Sequence, residues 1–397
     1  MASAGKVLML VENLSVPFDR RVWQEALTLK SGGFDVSVVC PRMVDRKPVE
    51  ILEGVTVYRY PMPYTANRAL GYLLEYSWML FFSFLYACYV YFQRGFHIIH
   101  ACNPPDLLFL VALPFRLLGV KFVFDQHDLC PETFQSKFGR EKSSLLRVMF
   151  LLEKWTYRLA HAVISTNESY RQVAIERGHV PPERVWVVRS APDLKRFTPT
   201  EPESQLKRGK RFLVCYLGTM GQQDGVDYLL RSIRIIYHEQ KRRDIQFVLM
   251  GGGENLPVLQ KMAQDLELRE TVLFTGRIPD NLLRQYLSTA DLAVAPDPVN
   301  SLNNVSTMNK ILEYMAMSLP IVSYRLVESE RSAGEAALYT EDNNEEDFAR
   351  KIILLLDEPE RRRKMGDYGR KHFEEELSWD RSSEQLFAAY RSLNVAG

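Results

Sequence analysis

Lys310 and Glu313 stand one helical turn apart in the segment Asn303-Asn304-Val305-Ser306-Thr307-Met308-Asn309-Lys310-Ile311-Leu312-Glu313-Tyr314-Met315-Ala316. The segment passes from turn-forming polar residues into helix formers, so the two side chains share a helix face. A helix mouth offers unpaired N–H groups and the positive end of the dipole, which suits a phosphate. Ser306, Thr307 and Asn309 lie at that mouth. Lys310 could neutralise a phosphate oxygen, and Glu313 could accept hydrogen bonds from a ribose diol. An ordinary surface Lys–Glu pair has the same spacing. Three further turns favour the nucleotide reading. Gly218 and Thr219 follow an apolar run, Gly252 and Glu254 follow another, and Gly276-Arg277-Ile278-Pro279 follows a third. Glycine lets a backbone approach a pyrophosphate closely. Glu254 could hold a sugar hydroxyl, and a nucleobase could rest on the backbone at Arg277 and Ile278.

In the first half, His127 lies just beyond a predicted strand in Asp125-Gln126-His127-Asp128. At such a position a histidine can donate to a sugar hydroxyl or relay a proton; a structural histidine bonded to a carbonyl is the alternative. Arg20 and Arg21 open a predicted helix, where cations oppose the dipole and call for anionic partners, either a ligand phosphate or a carboxylate such as Asp19 or Glu25. Arg189 closes another predicted strand. Asp125 and Asp128 have no further ligands converging in sequence, so no metal is predicted.

Alternating β-branched runs and helical segments must position these residues, and they predict an α/β chain of parallel sheets. Strands are expected at 6–11, 36–40, 55–60, 98–101, 121–125, 162–166 and 185–189, with a helix at 20–31. The alternation restarts at 212–216, 246–250, 272–274, 292–295 and 321–324, with an edge strand at 337–339. Residues 199–211 carry the turn and charge signals of a linker. The resulting division is a domain at 1–198, a linker at 199–211, a nucleotide-binding domain at 212–375 and a final helix within 376–397. Two doubly wound domains of this kind bind ligands beyond the carboxyl ends of their strands, here in a cleft between them.

The 397 residues are 46% hydrophobic and 25% charged, with a net charge of +1. That balance excludes a nucleic-acid binder and leaves phosphate recognition to local sites. The five cysteines lack zinc or redox spacing and read as free thiols in a reducing compartment. The chain starts almost directly in a strand with no signal-peptide pattern, which predicts a cytoplasmic protein. Residues 72–92 are apolar apart from Glu75 and rich in aromatic side chains. They read as a core helix whose outer face could dip into a membrane surface rather than as a span. Cations at 137–142 and Arg147 could add attraction to anionic lipid, placing the protein on the inner face of the cell membrane.

Arg20-Arg21-Val22-Trp23-Gln24-Glu25-Ala26, Gln126-His127-Asp128, Leu217-Gly218-Thr219, Gly251-Gly252-Gly253-Glu254, Phe274-Thr275-Gly276-Arg277-Ile278-Pro279 and the 309–316 segment together resemble glycosyltransferase family 4. The resemblance covers nearly the whole chain. It implies a GT-B fold and retaining, metal-independent transfer from a nucleotide diphosphate-sugar with no other cofactor. It also implies a saccharide or lipid-linked acceptor on the first domain. By position, Glu313 resembles the ribose-binding glutamate, Ser306 and Thr307 the pyrophosphate site, and His127 the histidine that touches the donor sugar. Val305 stands where the family has the first glutamate of a pair, and Thr219 and Asp224 stand where it has arginine and lysine. Phosphate charge would then fall to Lys310 and the helix dipole, with Arg20, Arg21 or Arg189 across the cleft. A nucleotide-sugar epimerase and a non-catalytic partner subunit are the alternative readings.

Overall fold

The computed structural model describes residues 4–43, 46–62, 69–138, 144–194 and 197–395. The chain divides into two compact units, Met1–Ser190 with Ser382–Gly397, and Ala191–Arg381.

The first unit is built on strands β1 (Gly5–Leu10), β2 (Phe34–Arg42), β3 (Val49–Leu52), β4 (Val55–Pro61), β5 (Ile98–Cys102), β6 (Lys121–Gln126), β7 (Ala162–Ser165) and β8 (Val185–Val187). Their order is β3-β4-β2-β1-β5-β6-β7-β8, parallel except for β3 against β4. Helices α1 (Arg20–Ser31), α2 (Ala69–Arg94), α3 (Phe109–Leu117), α4 (Cys130–Phe138), α5 (Ser144–Leu159) and α6 (Glu168–Glu176) connect them. Asp19 accepts from Val22 N at 3.2 Å and caps α1, which fixes where that helix begins.

Strand β3 was not expected from the sequence. It pairs with β4 across a two-residue Glu53-Gly54 turn in which both residues have positive φ, the left-handed geometry that joins tight hairpins. Helix α2 buries Met79, Ser83, Ala87 and Val90, a stripe at helical spacing that packs on the sheet face. Among the described residues no helix is long and apolar enough to cross a membrane. The cationic stretch at 137–142 lies outside the described residues except for the backbone at 137 and 138, which ends α4.

The second unit holds strands β9 (Phe212–Leu217), β10 (Ile245–Met250), β11 (Val272–Gly276), β12 (Leu292–Ala295), β13 (Ile321–Tyr324) and β14 (Ala337–Thr340). They form one parallel sheet in the order β11-β10-β9-β12-β13-β14. That is the doubly wound dinucleotide-binding arrangement, whose order reverses between β9 and β12. Its helices are α7 (Val226–Arg234), α8 (Leu256–Asp265), α9 (Asp280–Thr289), α10 (Asn309–Ala316), α11 (Val327–Ala333), α12 (Glu345–Asp357) and α13 (Pro359–His372). Alternate residues of β9 enter opposite cores: Val214 and Tyr216 one, Leu213 and Cys215 the other. The last helix, α14 (Trp379–Arg391), belongs to the first unit from Ser382 onward.

Residues 199–211 are not a free linker. They lie within the second unit, where Glu203 N donates to Thr289 Oγ1 at 2.8 Å and Lys207 pairs with Asp291 at 2.8 Å. Their polar composition reflects a surface position on that unit rather than a boundary between domains.

Candidate active site

In the second unit, three turns meet at the carboxyl edge of the sheet. Gly218 N donates to Met250 O at 3.1 Å, Met220 N to Gly252 O at 3.0 Å, and Gly251 N to Gly276 O at 3.0 Å. Those amides bind backbone, so they cannot be the phosphate-cradling groups that the glycine-rich turns suggested. Gly251 is required for another reason. With φ +132°, its Cβ would fall 1.9 Å from Gly218 O, and a Cβ on Gly253 would fall 2.5 Å from Met220 O. Gly252 differs: a Cβ there would meet only Arg277 Cγ, at 4.0 Å, so this position faces open space beside an exposed arginine. Glu254 and Thr219 are exposed, and Ile278 is half-buried.

Helix α10 abuts this edge, because a Cβ on Gly218 would lie 3.1 Å from Lys310 Cε. Its N-cap, Met308, supplies no side-chain acceptor to the first-turn amides. Ser306 Oγ donates to Leu302 O at 2.8 Å, and Ser306, Thr307 and Glu313 are half-buried while Asn309 is exposed. Asn303 ties the loop down by donating to Gln223 O at 3.0 Å and Pro298 O at 2.9 Å. Lys310 is buried. Its Nζ lies 2.5 Å from Asp297 Oδ1 and 5.1 Å from the centre of the Tyr216 ring. Burial opposes the ammonium charge, but Asp297 and then Asp224 outweigh it and raise the Lys310 pKa. The Asp224 carboxyl is raised by burial against the pull of Lys310, and it accepts from Gly221 N at 2.8 Å. Lys310 and Glu313 do share a helix, but the lysine's partner is Asp297.

The first unit gathers a second group. Arg21 is buried rather than open to a ligand: its Nη2 lies 2.9 Å from Asp125 Oδ1 and 3.0 Å from Glu25 Oε1, and its Nη1 donates to Val188 O at 2.7 Å. Its anionic partners are thus carboxylates of the fold. Arg20, one residue earlier, is exposed. Arg189 N donates to Ser382 Oγ at 3.1 Å. Asp125 Oδ2 lies 2.5 Å from His127 Nε2 and 3.3 Å from His100 Nε2, and His100 Nδ1 lies 2.8 Å from the Tyr390 hydroxyl. His127 N donates to Asn103 Oδ1 at 2.6 Å, which pins the backbone under the ring.

Burial alone would raise the Asp125 carboxyl, but the Arg21 guanidinium, followed by His127, holds it well below the usual carboxylate range. Glu25 moves the other way. Burial, reinforced by Asp125 and only partly offset by Arg21, pushes its pKa well above the ordinary value. The two carboxyls are thus pushed in opposite directions, and Asp125 is the one favoured to carry the charge. Glu25, Cys102, Asp125 and His127 bring potential ligand atoms within 4.8 Å of one another. The Arg21 guanidinium already supplies the cation between the two carboxylates, so this geometry is that of an ion-pair cluster.

Comparison with known proteins bears on both units. Residues 19–191 match the family described as "Glycosyl transferase 4-like domain", and residues 211–358 match "Glycosyl transferases group 1". The chain belongs to glycosyltransferase family 4. Among its relatives, an alpha-D-kanosaminyltransferase of Streptomyces kanamyceticus is 26% identical over 70% of this chain and 72% of its own length. A GDP-mannose-dependent monoacylated alpha-(1-6)-phosphatidylinositol monomannoside mannosyltransferase of Corynebacterium glutamicum is 27% identical over 50% of this chain and 53% of its own. The solved structure of a sucrose-phosphate synthase from Thermosynechococcus elongatus superposes with a TM-score of 0.79 at 18% identity, covering 98% of this chain and 99% of that one. Anabaena HepE, in complex with UDP and glucose, superposes with a TM-score of 0.73 at 15% identity over 98% and 100% of the two chains. The fold is GT-B.

As a glycosyltransferase, the chain carries polar residues beside Lys310 in the second unit and beside His127 in the first that sequence reasoning left unassigned. Asp297 stands thirteen positions before Lys310, in the loop after β12, where nothing local marks it as the lysine's partner. His100 and Tyr390 are 290 positions apart. A histidine inside an otherwise apolar strand, Ile98-Ile99-His100-Ala101-Cys102, was the available signal, since a fully buried imidazole needs partners.

Proposed function

We propose that this glycosyltransferase transfers a sugar, with retention, from a nucleotide diphosphate-sugar to a lipid-linked saccharide at a membrane surface, in polysaccharide or glycoconjugate synthesis. The observation that carries the donor half is the α10 mouth. The helix has no side-chain cap, its Lys310 stem lies beside the Gly218 turn of a doubly wound sheet, and half-buried Glu313 follows one turn on. UDP bound to HepE and the GDP-mannose dependence of the corynebacterial relative support a nucleotide donor. Oriented amides would stabilise the developing charge as the diphosphate leaves and the acceptor hydroxyl attacks on the same face. Leaving-group oxygens would take the proton, with no metal and no protein nucleophile required.

The acceptor half rests on the outer face of the first unit. Helix α2 exposes Trp78, Phe81, Leu85, Tyr89 and Phe92, the last at 85%, while α3 ends in exposed Leu117 and Leu118. Helix α5 exposes Leu145, Val148, Leu151 and Trp155 among Arg147, Lys154 and Arg158. Exposed apolar side chains interleaved with cations suit an anionic membrane, and the corynebacterial relative acts on a phosphatidylinositol mannoside. The protein is then peripheral on the cytoplasmic face.

One observation favours a second reading, a non-catalytic partner subunit. Lys310 is engaged by Asp297, and Thr219 and Asp224 offer no cation where family 4 has arginine and lysine. A thermal-shift panel of UDP-, GDP-, ADP- and dTDP-sugars decides, because a ligand bound only by the native state raises its apparent stability. A rise with at least one donor, followed by transfer to a lipid acceptor, is expected. No rise with any of the four returns the chain to the partner-subunit reading.

A further inference from the structure

The only side-chain hydrogen bond of His127 among the described residues runs from Nε2 to Asp125, at 2.5 Å, while its ring stays 16% exposed. Nδ1 is thus the ring atom left for a ligand. Asp125 approaches no other proton donor as closely, and its remaining neighbours fix it in place. Arg21 holds Oδ1 at 2.9 Å, and His100 Nε2 sits 3.3 Å from Oδ2. The His100 ring is set in turn by the Tyr390 hydroxyl at 2.8 Å. Burial pushes the Tyr390 phenol well above its ordinary pKa, so it keeps its proton and can donate it to His100 Nδ1. His100 then carries its other proton on Nε2, which lies 3.3 Å from Asp125 Oδ2 and 3.5 Å from Glu25 Oε2 without a well-aligned hydrogen bond. His127, at 2.5 Å, must donate from its own Nε2 to the carboxylate.

We propose that Asp125, backed by His100 and Tyr390, is a positioning residue that holds His127 with its proton on Nε2 and its bare Nδ1 open to a substrate hydroxyl. This rests on the reading of His127 as a group that faces the sugar. It changes that role from donor to acceptor: with its proton on Nε2, His127 takes a hydrogen bond at Nδ1 from the sugar or acceptor hydroxyl and orients it, while the proton still leaves with the diphosphate oxygens. The charged and titratable groups around the pair are Arg21 and Glu25 from α1, His100 and Cys102 from β5, and Tyr390 from α14. The carboxylate that the His127 ring meets is Asp125, whose charge the Arg21 guanidinium holds in place. Helix α14 thereby reaches the sugar-facing histidine through two buried rings and a carboxylate. Phe34 packs edge-on against Tyr390 at 5.2 Å between ring centres and keeps that ring in place when only the hydroxyl is removed.

The test is ring-nitrogen NMR on the full chain labelled with ¹⁵N-histidine, at alkaline pH where imidazole is neutral. His127→Gln identifies the signal among the seven histidines. In the wild type the Nε2–H form is expected alone. Asp125→Asn should give a mixture of both tautomers, and Tyr390→Phe a smaller change in the same direction in a chain that stays folded, its melting temperature only modestly lowered by the unpaired His100 Nδ1. A wild-type proton on Nδ1, or an identical His127 spectrum in Asp125→Asn, overturns the inference. The spectra need no substrate, so that outcome leaves the transferase reading standing, whereas failure of the donor panel removes the sugar hydroxyl from the inference and leaves the Nε2–H tautomer set by Asp125. With whichever of the four donors binds, Asp125→Asn should lower turnover roughly a hundredfold with little change in KM, the scale of a mispositioned polar catalytic group. A rise in KM alone overturns the assignment to positioning.

Discussion

A lysine whose ammonium is sealed against a carboxylate contributes differently from one that waits for a phosphate. Lys310→Ala strands Asp297, whose Oδ2 is already buried without a hydrogen-bond partner, and leaving half of a buried pair costs about 3–5 kcal/mol. The expected result is a large drop in the stability of the second unit, partly restored by adding Asp297→Leu. A Lys310→Ala protein that melts like the wild type but turns over slowly would put the lysine back on the diphosphate. Glu313→Ala should behave oppositely. It should leave stability nearly intact and weaken nucleoside-diphosphate binding by about 1–3 kcal/mol, because two ribose hydroxyls lose a charged acceptor. Calorimetry with unchanged nucleotide affinity would remove Glu313 from the site. Both residues stood out in the sequence because helical spacing is local. The lysine's partner did not, because Asp297 reaches Lys310 only after β12 and α10 have packed; likewise Glu25, four positions on, was legible as a partner of Arg21, whereas Asp125, 104 positions away, was not.

Elements were more legible than partners. Runs such as Val36–Cys40 within β2 and Leu292–Ala295 in β12 are mostly aliphatic or small and wholly buried, so their composition alone marks them. Strand β3 escaped because Val49 and Ile51 face solvent, which left no buried run to detect, although Glu53-Gly54 was the turn signal. The apolar face was legible on α2 and not on α5, where cations at Arg147, Lys154 and Arg158 dilute the hydrophobic pattern that the fold then exposes. That dilution carries a prediction for the element. Anionic liposomes should float the protein at low salt and release it as salt rises, since screening weakens each cation's contribution. Changing Arg147, Lys154 and Arg158 together to Gln should remove about 1 kcal/mol each, up to roughly a hundredfold in affinity. Trp155→Ser should weaken binding without changing its salt dependence. Protein that stays in the unbound fraction at low salt, or a triple variant that floats normally, would show that the face serves something other than lipid.

For the molecule as a whole, a net charge of +1 leaves little general repulsion to titrate, so its pH response comes from a few buried groups. Glu12, just beyond β1, is only 7% exposed, and burial, followed by repulsion from Glu75, pushes its carboxyl up to about 7. Asp106, buried after β5, is raised by burial to about 6. A carboxyl raised in the folded state binds its proton more tightly there than in the unfolded chain. Its contribution is therefore complete below the unfolded value near 4.5 and is lost as pH rises through 7. His161 works from the other end. Burial, followed by the nearby cations Arg116, Lys121 and Arg184, lowers it from 6.5 to about 4, so its contribution is present above 6.5 and is lost as pH falls through 4. These groups belong to the first unit, which should be most stable in mildly acidic solution. Glu12→Gln removes one of these acid contributions without changing shape. At pH 8 it should stabilise that unit by about 1–3 kcal/mol, from a shift worth about 1.4 kcal/mol per pH unit. In a domain of this size that is roughly 2–4 °C of melting temperature per kcal/mol. At pH 4.5 the variant and the wild type should melt together, because the wild-type carboxyl is then already neutral in the fold. A gain of the same size at both pH values would mean that the amide simply packs better, and the charge of Glu12 would not be what limits the unit at neutral pH.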